Sequence, residues 1–103
     1  MAQFSAFIAE TELFTRRRFR ASIFHAWDHQ CAYCGDHADT LDHVVPRADG
    51  GATVVENLVP ACRRCNLAKS DADWLDWFQQ QRGYSADRVA RIDGWLGSGA
   101  QVA

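Results

Sequence analysis

Cys31-Ala-Tyr-Cys34 and Cys62-Arg-Arg-Cys65 hold all four cysteines of the chain. Each is a C-x2-C pair, and the 27 residues from Gly35 to Ala61 separate them. Two such knuckles can bring four thiolates to tetrahedral corners around one zinc ion. Zinc is borderline soft and accepts four thiolates without redox chemistry. Four thiolates close the coordination shell, so this ion is expected to hold the fold and do no chemistry. Its removal is expected to unfold at least the middle of so short a chain. Three other uses of the cysteines compete. Disulfides fit poorly with adjacent C-x2-C pairs and no signal peptide. A thioredoxin-type redox pair would need one such motif in a βαβ setting, and there are two. An iron–sulfur cluster is chemically compatible with four thiolates.

Between the knuckles run Leu41-Asp42-His43-Val44-Val45-Pro46, then Gly50-Gly51, then Glu56-Asn57-Leu58-Val59-Pro60. The second knuckle leads straight into Asn66-Leu67-Ala68-Lys69. In order and spacing this resembles the HNH endonuclease family. That pattern has a C-x2-C, an Asp-His pair on a strand, a Gly-rich loop, an Asn-Leu, then a C-x2-C followed by Asn or His and a nearby Lys. The resemblance spans Cys31 to about Asp71. It implies a small α+β fold with a ββα-metal core: two strands and a helix around one catalytic ion, beside a structural four-cysteine zinc site. By position it implies that His43 is the general base and Asp42 a divalent-metal ligand. Asn57 matches the middle asparagine, which braces the loop between strand and helix. Asn66 takes the third position, where many members carry His.

Phosphodiester hydrolysis asks for such residues. The phosphate repels nucleophiles and its leaving alkoxide is poor, so a base for water and a cation on the phosphate are both needed. Histidine titrates near neutral pH and can serve as the base. Asp42 and Asn66 both offer oxygen, which favours Mg²⁺ or Mn²⁺ over softer metals. Adjacent strand residues point to opposite faces. Asp42 and His43 can therefore share a site only where the strand bends or at its edge. Lys69 either contacts the scissile phosphate or is an exposed helix lysine, and Asp71 could instead cap the next helix. His25, His29 and His37 lack a ligand set and read as surface.

These residues need elements to hold them. Phe4, Ala6 and Ile8 alternate like a strand, while Thr11-Glu12 could equally open a helix. Phe19, Ile23, Phe24 and Trp27 fall at helical spacing and predict an apolar stripe. Thr40 to Val45 reads as a strand ended by Pro46. Thr53 to Val55 and Leu58 to Val59 read as a second extended segment stopped by Pro60. Ser70 with Asp73 resembles a cap for a helix that buries Trp74, Trp77 and Phe78. Ser85 is expected to cap a last helix facing Val89, Ile92, Trp95 and Leu96 inward, with Gly97 at its end and a frayed tail beyond. The tryptophans read as core. One domain is expected over 1–103, with a motif core at 31–71 and helical flanks at 16–30 and 72–97.

The chain has 103 residues, is 48% hydrophobic and 23% charged, and carries a formal net charge of −2. That argues against disorder and against DNA binding by bulk charge. Charge is segregated, however: Arg16, Arg17, Arg18 and Arg20 cluster early, and Arg63 and Arg64 flank the second knuckle. These arginines are candidate DNA contacts or a solvated helix face. No apolar run is long enough to cross a membrane, and Met1 to Ile8 lacks signal-peptide features. A cytoplasmic endonuclease of bacterial or phage-infected cells is expected, a monomer or weak dimer. One base and one cation make one cut, so a monomer nicks one strand. No sequence-reading element is present. Specificity is expected to be low, or supplied by a phage-packaging or restriction partner protein. A non-catalytic zinc-ribbon DNA-binding module is the alternative, and it leaves Asp42, His43, Asn57 and Asn66 without a purpose. A redox or thiol protein is a third reading.

Overall fold

The computed structural model describes residues 15–102. The expectations for Phe4 to Glu12 lie outside them. Helix α1 covers 15–26 and buries Ile23 and Phe24, with Phe19 half-buried on the same stripe and Trp27 buried just beyond its end. It stops earlier than the anticipated flank at 16–30. Asp28 and His29 adopt positive φ of 55° and 57°, and the His29 amide bonds back to the Phe24 carbonyl at 2.8 Å. That is how left-handed residues close a helix.

Strands β1 (Thr40–His43) and β2 (Leu58–Ala61) pair antiparallel, with Asp42 opposite Val59 and His43 opposite Leu58. Pro60 does not stop β2 but sits inside it, opposite Leu41. A two-stranded sheet has a free edge on every strand, which is where proline is tolerated. The Pro60 carbonyl accepts the Ala32 amide at 2.9 Å, tying the sheet to the first knuckle. The loop between the strands holds two 3₁₀ turns, Arg47–Asp49 and Val55–Asn57. The expected extended run at Thr53–Val55 is thus largely a turn. Gly50 has φ 86°, and a Cβ on Gly51 would collide with the Val45 carbonyl, so the loop needs both glycines.

Helix α2 (Arg63–Lys69) follows the second knuckle, with Cys62 as its N-cap. Ser70 closes α2 at φ 50°, so it does not cap the next helix as expected. Asp73 does that for α3 (Trp74–Phe78), accepting the Asp76 amide at 3.0 Å. Helix α4 (Ala86–Val102) starts at Ser85, whose hydroxyl accepts the Arg88 amide at 3.1 Å. It runs through Gly97, where an end and a frayed tail were expected.

The core joins all of these. Ile23, Trp27, Tyr33, Val44, Val59, Phe78 and Ile92 are fully or almost fully buried, and Val89, Trp95 and Leu96 of α4 pack against them. Each large apolar side chain contributes about 1.5–3 kcal/mol by leaving water. Trp27 meets Trp95 edge-on at 5.7 Å, and the Arg91 guanidinium lies 4.1 Å over its ring. The Trp95 indole N–H donates to the carbonyls of both Val55 and Leu58 at 2.8 Å, pinning α4 to the loop that leads into β2. The tryptophans pack, as their spacing suggested. No helix among the described residues is long and apolar enough to cross a membrane.

Candidate metal centre and hydrolytic site

Two local turns build the cysteine cluster. In the first knuckle the Gly35 amide bonds to the Cys31 carbonyl at 2.9 Å and the Cys31 amide to Asp36 at 2.6 Å. In the second, Cys62 Sγ accepts the Cys65 amide at 3.4 Å as α2 begins. The ligand atoms of Cys31, Cys34, Cys62 and Cys65 all lie within 4.8 Å of one another. Cys34 and Cys62 Sγ are 3.7 Å apart. A zinc–thiolate bond of about 2.3 Å gives a tetrahedral edge of roughly 3.8 Å, so the spacing suits a metal ion. The electrostatics agree. Burial, then neighbouring thiolates, push Cys65 and Cys34 up. Burial also opposes ionisation of Cys62, but the hydrogen bonds from the Cys65 amide and from the neighbouring cysteines together outweigh it. A central cation would relieve the crowding of negative charge.

The other site lies at the end of β1. His43 is half-buried, and its Nε2 is 2.9 Å from Thr53 Oγ1. Burial lowers its pKa below the ordinary 6.5, Asp42 opposes this, and Arg47 and Lys69 add to it. Asn57 is buried and holds the loop from three sides. Its Oδ1 accepts the Val45 amide at 2.9 Å, and its Nδ2 donates to Val45 and Ala52 carbonyls at 3.0 and 2.9 Å. Asn66, on α2, donates through Nδ2 to Thr40 Oγ1 and the Leu41 carbonyl, both at 3.2 Å. That leaves its carbonyl oxygen for another partner.

Asp42, next to His43 on β1, meets a different set of partners. Its side chain is 5% exposed and Lys69's is 0%. Lys69 Nζ lies 3.2 Å from Asp42 Oδ2 and 3.4 Å from Oδ1, and donates to the His43 carbonyl at 3.0 Å. The Tyr33 hydroxyl donates to Asp42 Oδ2 at 2.6 Å. Burial pushes the Asp42 carboxyl up, while Tyr33 and Lys69 pull it back. Of the two expectations for Lys69, exposure does not hold, because its ammonium neutralises a buried carboxylate. A carboxylate has about four lone-pair positions, so Asp42 retains capacity for one further contact to a cation. A carboxylate oxygen and an amide oxygen are hard donors of the kind a hydrated, oxygen-seeking ion takes.

Arg63 and Arg64 project from α2 into solvent, and Arg16, Arg17 and Arg18 are exposed on α1. Arg64 pairs with Asp36 at 3.8 Å, both well exposed. His25, His29 and His37 are exposed, and His29 stacks on Phe24 at 5.8 Å. Sequence reasoning missed Tyr33 and Thr53. Tyr33 is embedded in a C-x2-C and Thr53 follows the double glycine, and neither signal names a partner.

Residues 31–72 match the HNH endonuclease family. A CRISPR-associated endonuclease Cas9 of Corynebacterium diphtheriae is 45% identical over 53 residues, 47% of this chain and 5% of that protein. A protein of the SPbeta prophage of Bacillus subtilis, itself named after this family, is 28% identical over 83 residues, 68% of this chain and 36% of its own length. The crystal structure of the Type II-C Cas9 enzyme from Actinomyces naeslundii superposes with a TM-score of 0.58 at 20% identity, covering 92% of this chain and 15% of that one. At that identity the likeness shows the fold. The chain spans 5% and 36% of the length of these two curated relatives.

Proposed function

With an HNH-family segment at residues 31–72, we propose that the protein is a metal-dependent endonuclease that hydrolyses DNA phosphodiester bonds. It nicks one strand per encounter with low sequence specificity. The observation that carries this reading is the half-buried His43, held at Nε2 by Thr53 with its pKa below 6.5, at the end of the strand that Asn66 grips from α2.

His43 takes the proton of the attacking water. In the tautomer that donates Nε2–H to Thr53, the basic lone pair lies on Nδ1. Asn57 keeps the loop closed so that Thr53 stays beside the ring. Asp42 and Asn66 would hold Mg²⁺ or Mn²⁺ through oxygen. A divalent ion bound there supplies charge neutralisation at the phosphate and the leaving oxygen. The four cysteines would hold zinc, which would fix the fold. Arg63 and Arg64, with Arg16, Arg17 and Arg18 of α1, contact the DNA backbone. Residues 1–103 act as one cytoplasmic domain, a monomer or weak dimer, with targeting left to a phage-packaging or restriction partner.

The experiment is plasmid nicking by purified protein in Mg²⁺ or Mn²⁺. Wild type is expected to relax supercoiled plasmid and His43→Ala to leave it intact while folding and keeping its zinc. If wild type is inert across these ions, or His43→Ala cuts equally well, the protein is a zinc-ribbon binding module.

A further inference from the structure

The two halves of the cysteine cluster each send one residue to the same buried carboxylate. Tyr33 lies between Cys31 and Cys34, so thiolates on both sides fix its backbone. Its ring is 1% exposed and wedged against Trp77 at 5.1 Å and Phe78 at 5.7 Å. Only its hydroxyl is polar, and that meets Asp42 at 2.6 Å. Lys69 stands four residues after Cys65, one turn along α2. Its ammonium contacts both Asp42 oxygens and the His43 carbonyl. Packing alone does not require either polar group. A phenylalanine would fill the place of Tyr33, and a buried ion pair adds little net stability over apolar residues of the same size.

We infer that Tyr33 and Lys69 are positioning residues for Asp42, through which the cysteine-held site sets where this carboxylate meets the catalytic ion. This rests on Asp42 being a ligand of that ion. Tyr33 and Lys69 occupy lone pairs on Oδ2 and tether Oδ1. They fix the rotamer and leave one lone-pair position for a cation. Lys69 also ties the backbone of His43 to that carboxylate, so base and ligand move together. Groups that hydrogen-bond a ligating carboxylate orient it, and losing one weakens metal binding or activity about 10- to 100-fold.

The test is Mn²⁺ binding to zinc-loaded full-length protein without DNA, followed by calorimetry or the spin-resonance signal of free Mn²⁺. Tyr33→Phe is expected to keep its fold and zinc but to bind Mn²⁺ about 10- to 100-fold more weakly. The Mn²⁺ needed for half-maximal nicking should rise by the same factor, with much of the rate recovered at saturating Mn²⁺. Lys69→Met is expected to behave likewise, and Lys69→Arg to restore part of the affinity. Should Tyr33→Phe not fold, the Lys69→Met and Lys69→Arg pair carries the same comparison. Unchanged Mn²⁺ affinity in folded Tyr33→Phe or Lys69→Met overturns the inference, as does wild-type affinity in Asp42→Asn. An inert wild type whose Mn²⁺ affinity still falls with Tyr33→Phe would sink the nuclease reading and leave the positioning role intact.

Discussion

Thr53 Oγ1 sits 2.9 Å from His43 Nε2, so a side chain of the glycine loop orients the ring that ends β1. Thr53 is ten residues downstream and reaches His43 only because Gly50 and Gly51 fold the loop back and Asn57 pins it.

Nicking should rise with pH through a midpoint below 6.5. Burial, with Arg47 and Lys69, disfavours the charged imidazole, so the neutral base persists to lower pH than in a free histidine. Below the midpoint the ring is protonated and the base is lost. A rate–pH profile in Mg²⁺ checks this, and a midpoint above 6.5 would contradict it. His43→Ala should cost about 10²–10⁴-fold in rate at neutral pH.

Stripping the cysteine-held ion with a chelator should collapse the middle of the protein. The cluster joins the Cys31 loop to the start of α2. Far-UV circular dichroism should lose its folded signal on chelation, and Cys65→Ser should melt well below wild type. A chelated protein with an unchanged melting curve refutes this.

Asn57→Ala should destabilise by roughly 1–3 kcal/mol, because the Val45 amide and two carbonyls lose a buried partner together. Urea unfolding measures it. Nicking should fall further than stability explains, since Thr53 loses its anchor.

Replacing Arg63 and Arg64 by alanine should flatten the salt dependence of DNA binding by about 0.9 per lost phosphate contact. Both project from α2, the helix that carries Asn66. The same titration on Arg16→Ala/Arg17→Ala/Arg18→Ala would show whether α1 also touches DNA. An unchanged slope in both means the arginines are merely solvated.

The cysteine pairs and the Asp42-His43-Asn57-Asn66 order were legible because their signal is local spacing. The helical stripes of Phe19 to Trp27 and Val89 to Leu96 were legible through periodicity. Lys69 was not, because a lysine late in a short polar helix ordinarily faces water, and only tertiary folding shows that Asp42 awaits it. Strand alternation left open whether Asp42 and His43 share a site, and it did not show which partners each would meet. The helix ends at Ala26 and beyond Gly97 were misjudged for a related reason. A left-handed aspartate and histidine closed α1 where no glycine marked it. Packing of Trp95 and Leu96 outweighed the glycine that suggested a stop to α4.

Trp95 has a consequence for anyone cutting this protein down. Its single N–H serves two carbonyls flanking Asn57, so a fragment trimmed to the matched segment would leave both without their donor and would strip Ile92 from the interior. The recognisable motif is therefore a poor guide to the smallest portable unit, and grafts that omit the last helix should arrive with a slack loop around the histidine.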